Sequence, residues 1–202
     1  MIPSRRFSVG CVGLLLIGSA CTIAPAPENG FSAVGSQELP PPGFGTMLQD
    51  EVTISLVSRG LEIKATPLDE AVTRVTAPDT YARLSGIADA SRSSAPPGSS
   101  LFVVSFYSAH ADLRFIPEDV QFISRGLRTR SLAILPITPS WGQRRVQQQQ
   151  TEMAVYAFSG DLDLGSDLIL VYGLEQTNAW SGILPRVQAE RGRTRARSGI
   201  GR

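Results

Sequence analysis

The sequence predicts a mainly β chain folded as an antiparallel sandwich or barrel, and three observations predict it. Apolar and polar residues alternate with a period of two in several short runs. Those runs recur at intervals of 8 to 20 residues and are joined by Gly, Pro, Ser and Asp. No βαβ alternation of the kind that builds a parallel sheet is present, and no repeat of fixed period.

The first alternation is Val52, Ile54 and Leu56 against Thr53, Ser55 and Val57; Ser58-Arg59-Gly60 bends the chain, and Leu61, Ile63 and Ala65 resume the pattern. Two paired strands follow from this. Thr66-Pro67-Leu68-Asp69 then supplies a capping residue, a first-turn proline and an early acid, and Thr76-Ala77-Pro78-Asp79 does so again. These starts predict one or two short helices between about 67 and 92, with Tyr81, Leu84 and Ala88 on one face. The excursion is expected to plug one end of the sandwich. Leu101 to Ser108, apolar on both faces near its centre, is expected to be a central strand. Leu113 to Phe122 reads as extended with Pro117 interrupting it, Leu127 to Leu135 as a further extended stretch after Arg125-Gly126, and Ile137 to Glu152 as a long loop or a ragged approach to a strand. Met153 to Phe158 and Asp167 to Tyr172 are the last two strong strands.

The N-terminus carries a different kind of signal. Arg5 and Arg6 precede an apolar run from Val9 to Ile17, which is too short for a permanent span, and Gly18-Ser19-Ala20 brings small side chains up to Cys21. That order resembles the lipobox of bacterial lipoproteins. The resemblance implies cleavage before Cys21, a lipid on its thiol, and residence outside the cytoplasm; Thr22, rather than Asp, after the cysteine resembles lipoproteins sent to the periplasmic face of the outer membrane. Residues 1–20 are then a signal peptide, and 21–46, rich in Pro, Gly and Ser, a tether. The sandwich is expected over 47–182 and an Arg-rich tail over 183–202.

LFVVSFYS, the proline-interrupted FIPEDVQFI, MAVYAF and DLILVYG, spanning residues 101–173, resemble the immunoglobulin-like domains of bacterial secreted lipoproteins. The resemblance implies an immunoglobulin-like antiparallel β-sandwich and brings no catalytic residues with it. A helical excursion at about 67–92 and a short C-terminal helix near Val187–Arg191 are additions to that pattern.

Composition narrows the chemistry. The chain has 19 basic and 18 acidic residues; without Arg5 and Arg6 the balance is 17 against 18, which gives no reason to expect nucleic acid as a partner. Its two cysteines are Cys11, inside the signal, and Cys21, so the mature chain is expected to form no disulfide and no cysteine metal site. No cofactor motif is present. His110, with Ser105, Ser108 and Asp112 nearby, contains the residue types of acyl-transfer catalysis, but no nucleophile elbow accompanies them and a turn is the favoured reading. Asp161, Asp163 and Asp167 approach calcium-loop spacing without meeting it, and read as a turn with outward acids. Trp141, Tyr156 and Trp180 are candidates for a stacking groove, with packing in the core or at its rim favoured; Gln147 to Gln150 could hydrogen-bond a glycan but read as an ordinary loop. Arg186, Arg191, Arg193, Arg195 and Arg197 are candidates for contact with an anionic surface, on a tail expected to fray beyond its short helix.

These readings converge on a non-catalytic, membrane-anchored binding or assembly module of the bacterial cell envelope, held to the membrane by Cys21 and meeting a protein or envelope polymer. The alternatives are an envelope hydrolase with a site that spacing does not reveal and a solute-binding lipoprotein. An apolar pocket would favour the last of these.

Overall fold

A computed structural model describes residues 39–199. The expected signal peptide, Cys21 and most of the expected tether lie outside the described residues. The chain is mainly β, with several antiparallel sheets and a C-terminal helix. In order it forms β1 (Ile54–Ser58), β2 (Leu61–Pro67), α1 (Glu70–Thr73), α2 (Pro78–Arg92), β3 (Ser100–Ser108), β4 (Leu113–Arg114), β5 (Val120–Ser124), β6 (Leu127–Arg130), β7 (Ala133–Pro136), β8 (Arg145–Val146), β9 (Thr151–Phe158), β10 (Leu168–Tyr172), β11 (Glu175–Thr177) and α3 (Trp180–Arg197).

One sheet has the order β1-β2-β3-β9-β7 and a second the order β11-β10-β5-β6; β4 and β8 form a separate pair. The two larger sheets share one core, an arrangement compatible with a β-sandwich. Phe102 of β3 meets Phe122 of β5 with ring centroids 4.5 Å apart, and Phe122 meets Phe158 of β9 edge-on at 5.0 Å. β3 lies at the centre of its sheet, and its double-sided apolar sequence follows from its being covered twice. Phe102, Val104 and Phe106 face the other sheet, whereas Leu101 and Val103 join Val155 and Ala157 under Leu84 and Ala88 of α2.

The longer helix of the excursion, α2, therefore covers the outer face of a sheet rather than an end, contrary to the expectation from sequence, whereas α1 places Val72 in the main core with Trp180 and Val187 of α3. The caps of the excursion also sit elsewhere. Asp69, not Thr66, accepts the N–H of Ala71 at 2.7 Å, while Thr66 stays in β2 and shares a 2.6 Å hydroxyl pair with Thr53. Ala77 precedes Pro78 as the N-cap of α2, and Thr76 instead donates to the Thr73 carbonyl at 2.6 Å. The end-plugging role belongs to α3, which adds Trp180, Ile183 and Val187 to the main core beside Met47 and Val52. Its buried residues Trp180, Ile183, Val187, Glu190 and Thr194 follow the helical repeat, so the helix continues to Arg197 where fraying was expected.

The stretch 127–135 is two strands, because Ser131-Leu132 carries the chain from one sheet to the other. The 137–152 loop contains a 3-10 turn at Pro139–Gln143 and the short strand β8. β11 has the sequence EQT, with too little alternation to be read in advance.

Strand register gives the body two distinct ends. Ser58, Leu61, Ser108 and Thr151 lie together at one end of the first sheet, and Tyr172 and Glu175 at the corresponding end of the second. At the opposite end are the 3-10 turn Gln49–Val52, which leads into β1, and α3, which packs against it.

Candidate functional site

At the end made by Ser58 and Tyr172, three connections surround a cavity of about 590 Å³. The first is the β1–β2 hairpin, whose two-residue turn places Arg59 at φ 48° and Gly60 at φ 85°; this double positive-φ geometry matches the right-handed twist of the strands. The second is the β10–β11 hairpin through Gly173, at φ 60°, and Leu174. The third is the segment from Leu113 to Asp119, which follows β3 and lies against Arg144.

Two tyrosines, one from each sheet, fix that third segment. The Tyr172 hydroxyl accepts the Ile116 N–H at 2.9 Å, and the Tyr156 hydroxyl donates to the Pro117 carbonyl at 3.0 Å. Both phenols are pushed above their ordinary value, chiefly by burial; at Tyr172 the Ile116 N–H opposes that rise, Asp119 adds to it and Arg59 opposes it. The floor of the cavity is apolar, with Leu61 and Phe115 buried, while Ile116 and Leu174 stand at its mouth, Leu174 92 % exposed. An isolated exposed leucine is ordinary, but one at the lip of an apolar cavity extends a continuous surface.

The rim is charged. Arg144 is paired with Glu118 at 2.7 Å. Among the described residues, Arg59, Arg114, Asp119 and Glu175 have no ion-pair partner. In the sequence Ser58-Arg59-Gly60 reads only as a bend and Leu113 to Phe122 only as an extended stretch. The residues of the cavity come from three separated connections, so no local spacing could have joined them.

The arginines singled out in the sequence lie on α3, at the other end. Arg186 donates to the Glu51 carbonyl at 3.1 Å, Arg191 to the Ala71 carbonyl at 2.8 Å, and Arg197 to the Phe44 carbonyl at 2.5 Å. Arg193 and Arg197 also pair with Glu190 at 3.5 and 2.8 Å. Glu190 is buried, and burial alone would raise its pKa; the hydrogen bonds from Arg197 and Thr46, the Arg197 charge and the Arg193 hydrogen bond outweigh burial and hold the carboxyl below its usual range. These arginines thus strap residues 44–51 and the α1 region to the C-terminal helix. Sequence reasoning assigned them to a tail because it had no means of seeing that Glu190 faces inward.

The remaining candidates separate. Ser108 is bonded to the backbone of His110, through the His110 N–H at 2.9 Å and the His110 carbonyl at 2.8 Å, while Asp112 pairs with Arg145 at 2.5 Å, so the structure does not assemble a relay from these residues. Asp163 accepts from Arg125 at 2.5 Å and from the Gly165 N–H at 2.8 Å; these bonds, Arg125 first, lower its pKa, and Asp161 accepts from Ser159. This is a bonded turn, and no cluster of three or more His, Cys, Asp or Glu residues able to hold a metal occurs among the described residues. Trp141, Tyr156 and Trp180 are buried in the main core and line no groove. Gln147 to Gln150 are exposed between β8 and β9. A carboxylate that the sequence reading passed over, Glu152, is 2 % exposed and accepts from the Thr138 and Ser140 hydroxyls at 2.5 Å each. It belongs to the support of the 3-10 turn beneath Trp141.

No helix among the described residues is long and apolar enough to cross a membrane. Comparison with protein-family models, with curated proteins and with solved structures found no match.

Proposed function

We propose that this chain is a non-catalytic, lipid-anchored binding module of the bacterial cell envelope, with an immunoglobulin-like sandwich as its body and the cavity beneath Arg59 as its binding site. The observation that carries the reading is the placement of that cavity at the end of the body opposite the entering chain and α3. On this reading a domain held through Cys21 keeps the cavity clear of the end at which its chain enters. Seventeen residues separate Cys21 from Leu39; at ~3.3 Å per residue they reach at most about 56 Å, and as a coil they average about 23 Å. On this reading the exposed arginines of α3, Arg186, Arg193 and Arg197, with Arg191 and Arg195 beside them, face the anionic headgroups.

The immunoglobulin-like assignment is supported by strand order. With β2, β3, β5, β6, β7, β9, β10 and β11 taken as A, B, C, C′, D, E, F and G, the sheets read A-B-E-D and G-F-C-C′, with β1 added beside A. Among the alternatives raised by the sequence, the cavity favours a solute binder over assembly through a flat face. Its volume lies within the roughly 300–1,000 Å³ typical of small-molecule sites.

The test uses the full-length lipidated protein and Ile116→Trp. Ile116 is half exposed, so a larger side chain fills the cavity mouth without entering the core. Thermal-shift measurements against apolar and amphiphilic small molecules are expected to show saturable stabilisation of the native protein and none of Ile116→Trp. Equal responses from both proteins, or hydrolysis of an added ester by the native protein and not by Ile116→Trp, would overturn the reading.

A further inference from the structure

Resting on the assignment of this cavity as the binding site, we infer that its ligand is a zwitterionic amphiphile: an apolar chain whose head carries a phosphate and an ammonium group. The apolar floor made by Leu61 and Phe115, with Leu113 beside them and Ile116 at the mouth, takes the chain. The unpaired guanidiniums of Arg59 and Arg114 take the phosphate, to which arginine presents forked donors, and the unpaired carboxylates of Asp119 and Glu175 take the ammonium.

One comparison within the molecule and two between ligand classes support this division. Arg59 and Arg125 each take the first position of a two-residue hairpin turn, at φ 48° and 50°. Arg125 pairs with Asp163 and Arg144 with Glu118, whereas Arg59 has no ion-pair partner among the described residues. A purely anionic ligand fits less well, because Asp119 and Glu175 share the rim and would repel it. A purely apolar ligand makes no use of the rim charges and desolvates those nearest its chain. A head bearing both charges satisfies all four, and the pairs strengthen as the chain displaces water from the cavity.

The inference is tested by binding measurements on the full-length protein below the critical micelle concentration, with three probes sharing one acyl chain: lysophosphatidylethanolamine, lysophosphatidic acid and monoacylglycerol. Single-site binding of lysophosphatidylethanolamine is expected to be at least about tenfold tighter than that of either other probe. Arg59→Gln/Arg114→Gln is expected to remove about tenfold of that affinity while leaving monoacylglycerol unaffected. Asp119→Asn/Glu175→Gln is expected to level the two lysophospholipids. Equal binding of all three probes, or tightest binding of lysophosphatidic acid, would overturn the zwitterion and leave the cavity standing as a site. Failure of every probe to bind, with Ile116→Trp indistinguishable from the native protein, would remove the cavity reading itself.

Discussion

The Tyr172 hydroxyl accepts the Ile116 N–H at 2.9 Å, and this bond ties the end of β10 to the segment that forms one wall of the cavity. Tyr172→Phe leaves that N–H without its acceptor while keeping the ring against Phe106, 5.7 Å away. Urea unfolding is expected to show a loss of about 1 kcal/mol at unchanged m-value. A loss well beyond this would mean that the hydroxyl supports more than one wall.

Arg59 gives a case in which stability and binding part. Asn is favoured at the first position of a type I′ turn, so Arg59→Asn is expected to stabilise the β1–β2 hairpin by about 0.5–1 kcal/mol. The same change removes a guanidinium from the rim. Unfolding and ligand titration on one sample check both: a higher midpoint with weaker binding is expected.

Glu190 makes stability depend on pH. Its folded pKa lies below the unfolded value, so its contribution is complete above the ordinary carboxylate range and is lost as pH falls through the folded pKa. Glu190→Gln is expected to cost about 2 kcal/mol at pH 7, the scale of hydrogen bonds to a charged group, and to narrow its gap from the native protein as pH falls to about 3. Melting curves across that range measure the gap. A constant gap would show that packing rather than charge holds α3 to Thr46 and Phe44.

Packing and exposure separate two apolar residues. Phe102→Ala empties the contact between the sheets at Phe122 and is expected to cost about 3–5 kcal/mol. Leu174→Ala, at an almost fully exposed position, is expected to change stability by less than about 0.5 kcal/mol and to weaken amphiphile binding. Denaturation midpoints paired with binding isotherms distinguish the two.

Much of the fold was legible because period-two alternation reports burial directly. Ile54, Leu56, Leu61 and Ile63 showed two strands, and the two-sided apolarity of Leu101–Phe106 showed a central one. Less was legible where a residue's partner lies far along the chain. Glu190 and Arg197 read as a charged tail because Thr46 and Phe44, more than 140 residues earlier, complete their bonds. α2 was read as an end plug because the sequence shows its apolar stripe but not which surface receives it. The cavity was not legible at all: Arg59, Ile116 and Leu174 are each unremarkable locally and acquire meaning only when three turns converge.

The layout of an anchored end and an open end has its proposed use only if the chain is held by its first mature residue. Intact mass spectrometry of the protein extracted from membranes tests this most directly. The account predicts a chain beginning at Cys21, with residues 1–20 absent and the mass of a diacylglycerol on the thiol. An unacylated chain retaining Met1 to Ala20 would contradict it.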